Sequence, residues 1–381
     1  MIKNEIDKDT GLETRLALKM GYKNSSPLNK FWKHEEREMD NFNGLLILVR
    51  ELFPDREFEI MEEYIRTINP KHYTARICLE YTQINKLNES HKYLLDSMKN
   101  CKSAKNEEWA RLYQIDFDLV KGVITPLEAN DKINELSLSS PELKAFANIC
   151  KYYLFYDLSL IDSMERIKPV ADFNISQIDD EYLKKSYTIR LECMSSEINL
   201  HKNKISKVRD TLKIVEECDE DYHKTLLYLN LGNSYIFESY ENAMKYMNKS
   251  LEIAKKHNFE NRIIQAQSSI TFVQNYYGYI PHYLNEESDR VSDIHEIAFF
   301  YIRQNNPKGM ELLNSIDVDG LTGLQKGFNF FYKGLATNNM KHFLMSVKCF
   351  SACGEKFYKN LPLIELKRLG VDEDILDAYA F

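Results

Sequence analysis

The chain has 381 residues, 44% hydrophobic and 28% charged, with a net charge of −8. That balance excludes a nucleic-acid coat protein, so any contact with DNA must come from a local basic patch. With only 13 Gly and 9 Pro, and with abundant Leu, Lys, Glu and Ile, the composition favours helix almost throughout.

In chain order, residues 1–10 read as a lead-in. L12-E-T-R-L-A-L-K-M20 has helical spacing and stops at Gly21, a good residue just past a helix end. Ser26-Pro27 then starts a short helix carrying Leu28, Phe31 and Trp32 on one face. After the charged stretch 35–40, F42-N-G-L-L-I-L-V-R-E-L52 is a strongly apolar helix that ends before Pro54. These helices predict a helix-turn-helix module over 1–55.

From residue 56 the pattern is one of paired helices: 57–67, 72–85, 88–100, 106–120, 125–136, 141–156, 158–168, 181–200, 203–217, 221–238, 240–257, 260–276, 291–304, 307–315, 321–338, 340–358, 361–368 and 371–379. Breakers mark the connectors, among them N69-P70, S139-S-P141, D172-F-N-I-S176 and N305-N-P307. The acidic run E216-E-C-D-E-D221 reads as a solvated connector. Short connections make successive helices antiparallel, and the longer stretch near 277–290 is a candidate hinge. The last helix, 371–381, caps the array. Its apolar edge of Ile375, Leu376, Tyr379 and Phe381 fits either simple packing or a homodimer contact.

Two segments echo each other. Y228-L-N-L-G-N-S-Y235 precedes Ala243 and Met247, and F330-F-Y-K-G-L-A-T337 precedes Ser346 and Phe350. Gly232 and Gly334 lie 102 residues apart, three tetratricopeptide periods of 34. The expected fold is therefore all-α: the N-terminal helix-turn-helix module, then a TPR-like right-handed helical solenoid over 56–381. A solenoid presents an extended concave binding surface. Tyr222, Leu226, Leu229 and Asn233 form an i, i+4, i+7, i+11 stripe that would face it. Asn233 fits a surface amide at a helix end, or a clamp for a peptide backbone, whose N–H and C=O one amide can satisfy together.

Between Glu13 and Glu35 there is no acidic residue, while Arg15, Lys19, Lys23, Lys30 and Lys33 give +5. Centred on the helix-turn-helix pattern, this window suits a phosphate backbone. Asn24, Ser25, Ser26 and Asn29 are placed for base edges or phosphates. A solvated basic face capping the solenoid is the other reading.

The seven cysteines are scattered and contain no C-x2-C pair, which reads as free thiols in a reducing cytosol. The polar N-terminus is no secretory signal, and no apolar run approaches membrane-spanning length. No phosphate-binding glycine loop, H-E-x-x-H pair, calcium loop or activated nucleophile is present, so neither an enzyme nor a cofactor is expected.

L52-F-P-D-R-E-F-E59, A75-R-I-C-L-E-Y81, Y228-L-N-L-G-N-S-Y-I-F-E-S-Y-E-N-A243 and L361-P-L-I-E-L-K-R-L-G370, together with the N-terminal module, resemble the arbitrium receptors (AimR) of temperate Bacillus phages. The resemblance runs nearly end to end. It implies a homodimeric, cytoplasmic transcription regulator of the lysis–lysogeny decision that binds operator DNA. It also implies a gate, a short imported phage peptide of about six residues held in the TPR groove. DNA contacts fall on Lys23, Asn24, Ser25, Asn29, Lys30 and Lys33. In the groove, the family asparagine of the L-G-N-S/T motif is matched by Asn233, and an acidic residue is matched in type by Glu355. Where the family has an arginine this chain has Tyr222. Two family asparagines are replaced by Glu197 and His201, and an amide by His295. The departures imply a different peptide from those of close relatives. The competing reading is a TPR interaction protein that binds protein partners without touching DNA.

Overall fold

The computed structural model describes residues 2–9, 11–33, 38–39, 41–158, 161–372 and 374–376, among which no strand occurs. The chain forms two compact units, Met1–Leu191 and Glu192–Phe381. The first holds α1 (Ile2–Ile6), α2 (Leu12–Lys19), α3 (Ser26–Lys33), α4 (Phe42–Leu52), α5 (Glu57–Thr67), α6 (Tyr73–Ile84), α7 (Asn88–Lys99), α8 (Ala104–Val120), α9 (Pro126–Asn134), α10 (Pro141–Asp157), α11 (Ile161–Ser176) and the start of α12 (Glu181–His201). The second holds the rest of α12, then α13 (Ile205–Asp210), α14 (Leu212–Glu217), α15 (Asp221–Asn233), α16 (Tyr240–Lys256), α17 (Glu260–Tyr277), α18 (Val291–Arg303), α19 (Lys308–Ser315), α20 (Gly323–Thr337), α21 (Met340–Ala352) and α22 (Asn360–Arg368).

In the first unit, α2 ends as its sequence requires. Gly21 sits at φ +83, and Tyr22 N–H reaches back to the Ala17 carbonyl at 2.9 Å while Gly21 N–H reaches Leu18 at 3.0 Å. This pair of bonds satisfies carbonyls that the helix end leaves open. Asn41 caps α4 by accepting from Gly44 N–H at 2.8 Å, and its amide donates to the Met20 carbonyl at 2.9 Å, tying α4 to α2. Leu16, Ala17, Met20, Leu28, Leu45 and Val49 are buried and give the small module its core.

Deeper in the same unit lies a buried ionic network. Arg190 Nη1 meets Glu80 Oε2 at 2.9 Å, and its Nη2 lies 3.7 Å from Asp116 Oδ2. Glu80 also accepts from Ser186 Oγ at 2.6 Å and from the Tyr113 hydroxyl at 2.9 Å. Gln83 donates to Asp116. Burial opposes the charge on Arg190, but Glu80 holds the guanidinium firmly protonated.

The connector expected at D172-F-N-I-S176 is helix instead. α11 continues to Ser176 with Pro169 inside it. Proline removes one donor, but Met164, Ala171 and Ile175 keep one face buried across the break, and that burial outweighs the lost bond.

In the second unit, the two echoed glycines do what the repeat needs. A Cβ on Gly232 would stand 2.6 Å from Met247 Cγ and 3.0 Å from the Ala243 carbonyl, and one on Gly334 would stand 2.6 Å from the Phe343 ring. Only glycine lets α15 approach α16, and α20 approach α21, this closely. Stacked rings lock the first pair, with Tyr228 and Tyr235 at 6.3 and 5.9 Å from Tyr246. The expected helix 203–217 is split at Thr211, whose hydroxyl turns back to the Val208 carbonyl at 2.6 Å. The helices expected to reach 238 and 358 stop at Asn233 and Ala352, each followed by a turn. The acidic run is only partly solvated. Glu220 is buried against His223 at 3.1 Å, and Asp221 pairs with His257 at 2.7 Å.

Candidate functional site

Three of the six residues expected in the groove meet at one point of the second unit. His201 closes α12, and Glu197 stands one turn before it, so both side chains share a face. Glu355 follows Gly354, whose φ of +76 turns the chain after α21. The imidazole Nδ1 bonds the Glu355 carboxylate, and Nε2 lies 3.4 Å from Glu197 Oε1. The His201 carbonyl accepts from Lys356 N–H at 2.7 Å, and Glu355 Oε1 accepts from Tyr358 N–H at 2.8 Å. Burial disfavours the imidazolium, but the bonds from Glu197 and Glu355 outweigh it and raise the group to about 10. The cluster joins residues 154 positions apart in the chain.

Asn233 lies at the end of α15, 8% exposed, with Oδ1 making no hydrogen bond. It is one of a set. Asn230 Nδ2 on the same helix, Thr271 Oγ1 and Asn275 Oδ1 on α17, and Asn329 Oδ1 on α20 are also buried and unpartnered. The spacings 230/233 and 271/275 put each pair on one helix face. Each such atom costs about 1–3 kcal/mol of lost solvation, and folded proteins keep few of them. Unpartnered oxygens predominate here. Their chemical complement is a chain rich in N–H donors, such as a peptide backbone.

The remaining groove candidates stand apart from the His201 cluster. Tyr222 opens α15, its ring 5.1 Å from Phe259 and under the Arg262 guanidinium at 4.6 Å. A guanidinium thus comes to this position from α17. His295 on α18 is buried, and Asn329 Nδ2 lies 3.3 Å from its Nε2. Burial, with Lys333 nearby, lowers His295 to about 4 and keeps it neutral. Its neighbour Glu296 receives the Asn275 amide at 2.9 Å and the Tyr332 hydroxyl at 2.7 Å. Burial raises that carboxyl to about 7 against the opposing pull of the two donors.

In the first unit, Arg15 and Lys19 are spent on Asp9 and Glu51, at 2.5 and 2.8 Å. Lys23, Lys30 and Lys33 are exposed and make no ion pair among the described residues. Asn24 caps the start of α3 by accepting from Ser26 N–H at 2.9 Å. Ser25 is half-buried, and Asn29 directs its amide to Glu13 at 3.2 Å and to the Ser25 carbonyl at 3.3 Å. The exposed cations of this window without an ion pair among the described residues are therefore the three lysines, and Asn29 helps to join α3 to α2.

Of the dimer candidates, Ile375 is 52% exposed, while Leu376 is buried in the core of its own unit. Tyr379 and Phe381 lie outside the described residues. All seven cysteines are free; five are buried and Cys349 and Cys353 are half-buried. No described helix is long and apolar enough to cross a membrane.

The buried polar residues of the second unit that sequence reasoning missed are Asn230, Thr271, Asn275, Glu296 and Asn329. A signal existed: Thr271 and Asn329 interrupt the otherwise apolar runs 270–273 and 328–332, where a polar residue must be bonded or functional.

Comparison with known proteins places these features in context. A family model described as AimR transcriptional regulator-like matches residues 57–368. The AimR transcriptional regulator of Bacillus phage SPbeta is 28% identical over 379 residues, 99% of this chain and 97% of the relative. Its counterpart in Bacillus phage phi3T is 27% identical, with 99% of each chain covered. A solved structure of selenomethionine phAimR superimposes with a TM-score of 0.81 at 27% identity, covering 100% of this chain and 99% of that one. A phAimR–ligand structure gives 0.79 at 25% identity, over 88% and 99%. Matched over most of its length, the chain belongs to the AimR transcriptional regulator-like family.

Proposed function

We propose that this protein is a peptide-gated phage transcription regulator controlling lysis and lysogeny from the host cytoplasm. Residues 1–55 bind promoter DNA, and 56–381 hold a short imported peptide and dimerise the chain. The observation that carries the peptide half is the set of unpartnered buried polar atoms on α15, α17 and α20, whose oxygens backbone N–H groups would satisfy and whose Asn230 Nδ2 a backbone carbonyl would. A relative is solved with a ligand, which is consistent with that reading. The DNA half rests on Lys23, Lys30 and Lys33, exposed around α3 and free to neutralise phosphates. A peptide that bridges parts of the groove would favour one curvature of the helical array and so change the spacing of the two DNA-reading modules.

The test is a gel shift with DNA from the phage's own regulatory region, with and without the peptide encoded by the short reading frame beside the gene. The peptide is expected to alter the shift. Reversing Lys23, Lys30 and Lys33 to Glu should abolish it and flatten the salt dependence by about three phosphate contacts. Binding indifferent to both changes would refute the reading. Sedimentation of a chain truncated after Gly370 tests the dimer: an unchanged dimer removes the C-terminal segment from the contact.

A further inference from the structure

A cavity of about 250 Å³ opens between α17, the 278–290 segment and α18. Its polar wall is unusual in two independent ways. The Thr271 hydroxyl, on a residue 3% exposed, faces no hydrogen-bond partner. Glu296 is a buried carboxyl whose contacts, Asn275 and Tyr332, are neutral, and no described basic side chain is paired with it. The other acid of the wall, Asp293, differs. Arg290 holds it through two bonds of 2.8 Å, so its charge is already balanced. The rest of the wall sets the apolar Ile264, Tyr283 and Leu284 beside the polar Gln267, Ser268 and Asn285 and the Arg290 guanidinium that Asp293 neutralises. A buried carboxyl with no cation of its own and an idle hydroxyl, beside the apolar part of the wall, would be completed by a cationic group with several N–H donors on an alkyl stem, which would favour the ionised form of Glu296.

We propose that this cavity is a binding subsite for an alkylguanidinium or alkylammonium group, with Glu296 as its countercharge and Thr271 as a second acceptor. The methylenes would lie on Ile264 and Tyr283. A peptide held by the second unit is the natural carrier, through a basic side chain or its N-terminal ammonium. The chemistry of the cavity itself stands apart from the peptide reading.

The experiment uses the full chain and a small probe. Agmatine, cadaverine and the neutral N-butylurea are titrated against it by calorimetry and ligand-observed NMR. Agmatine or cadaverine is expected to bind with a dissociation constant on the order of a millimolar, and butylurea at least about tenfold more weakly. The ratio of the two cations distinguishes guanidinium from ammonium. Glu296→Gln and Thr271→Val should each weaken binding about fivefold or more with an unchanged circular dichroism spectrum. If Glu296→Gln does not fold, Ser268→Phe decides, because it fills the cavity from a half-buried position and leaves the Glu296 bonds intact. Absence of cation binding, equal binding of butylurea, or undiminished binding by Ser268→Phe overturns the subsite. A chain that binds agmatine but ignores every short peptide keeps the subsite and refutes the peptide reading.

Discussion

Two sets of buried polar groups, one in each unit, are built in opposite ways. In the first, Glu80, Asp116 and Arg190 are almost inaccessible; the two carboxylates accept from Ser186, Tyr113 and Gln83, and Arg190 donates to Glu80 and balances their charge. In the second, Asn230, Asn233, Thr271, Asn275 and Asn329 are as deeply buried, yet each leaves an atom without a partner. A closed network of this kind rigidifies and specifies a fold. An open row costs stability unless something outside the chain completes it. The difference marks the first set as scaffold and singles out the second as the set that a ligand could complete.

The largest expected effect tests the closed side. Arg190→Met leaves Glu80 and Asp116 buried without their cation, and breaking such a pair costs about 3–5 kcal/mol. Urea denaturation monitored by circular dichroism should show that loss. A cost under about 1 kcal/mol would mean that the network is not a scaffold.

Next comes the charged clamp of the second unit, which resembles the first unit's network more than its own neighbours. His201 is raised from 6.5 to about 10, so its contribution is fully present below pH 6.5 and is lost as the pH rises through about 10. Thermal midpoints should fall by the equivalent of a few kcal/mol across that window. His201→Asn should be less stable at neutral pH and nearly flat above it. Parallel curves for the two proteins would show that His201 is not held as an imidazolium.

Glu296 gives a smaller slope at lower pH. Its carboxyl is raised from 4.5 to about 7, so the folded chain keeps a proton that the unfolded chain releases. Stability should therefore fall as the pH rises from 4.5 to 7 and level off above. His295, lowered to about 4, pulls the other way between 4 and 6.5. Subtracting the pH profile of Glu296→Gln from that of the native chain isolates the Glu296 term.

How much of this was legible in the sequence follows the same division. Helix positions, the Gly21 stop and the close-packing glycines Gly232 and Gly334 were readable, because helical spacing and the needs of a tight approach are local. The α11 helix was misjudged because Pro169 looks like an end, and only the burial of Ala171 and Ile175 against neighbours overrides it. In the groove, Asn233 stood out within a recognisable motif. Asn275 and Asn329 did not, because whether an amide finds a partner depends on residues such as Glu296 and His295, which lie 21 and 34 positions away. The His201–Glu355 contact spans 154 positions, beyond any local pattern.

The smallest expected effect on stability is the most discriminating. Asn233→Leu removes a buried oxygen that has no partner and keeps a side chain of similar size. If the row is unsatisfied in the free chain, the substitution should be neutral or stabilising by up to about 1 kcal/mol, since no hydrogen bond is lost and a desolvation cost disappears. The same change should weaken binding of the cognate peptide by about tenfold or more, because a backbone N–H then loses its acceptor. A scaffold residue cannot show that pattern: Arg190→Met must lose stability first and function as a consequence. Should Asn233→Leu destabilise the chain as strongly as Arg190→Met, the oxygen would be bonded within the fold, and the open row would become a second closed network.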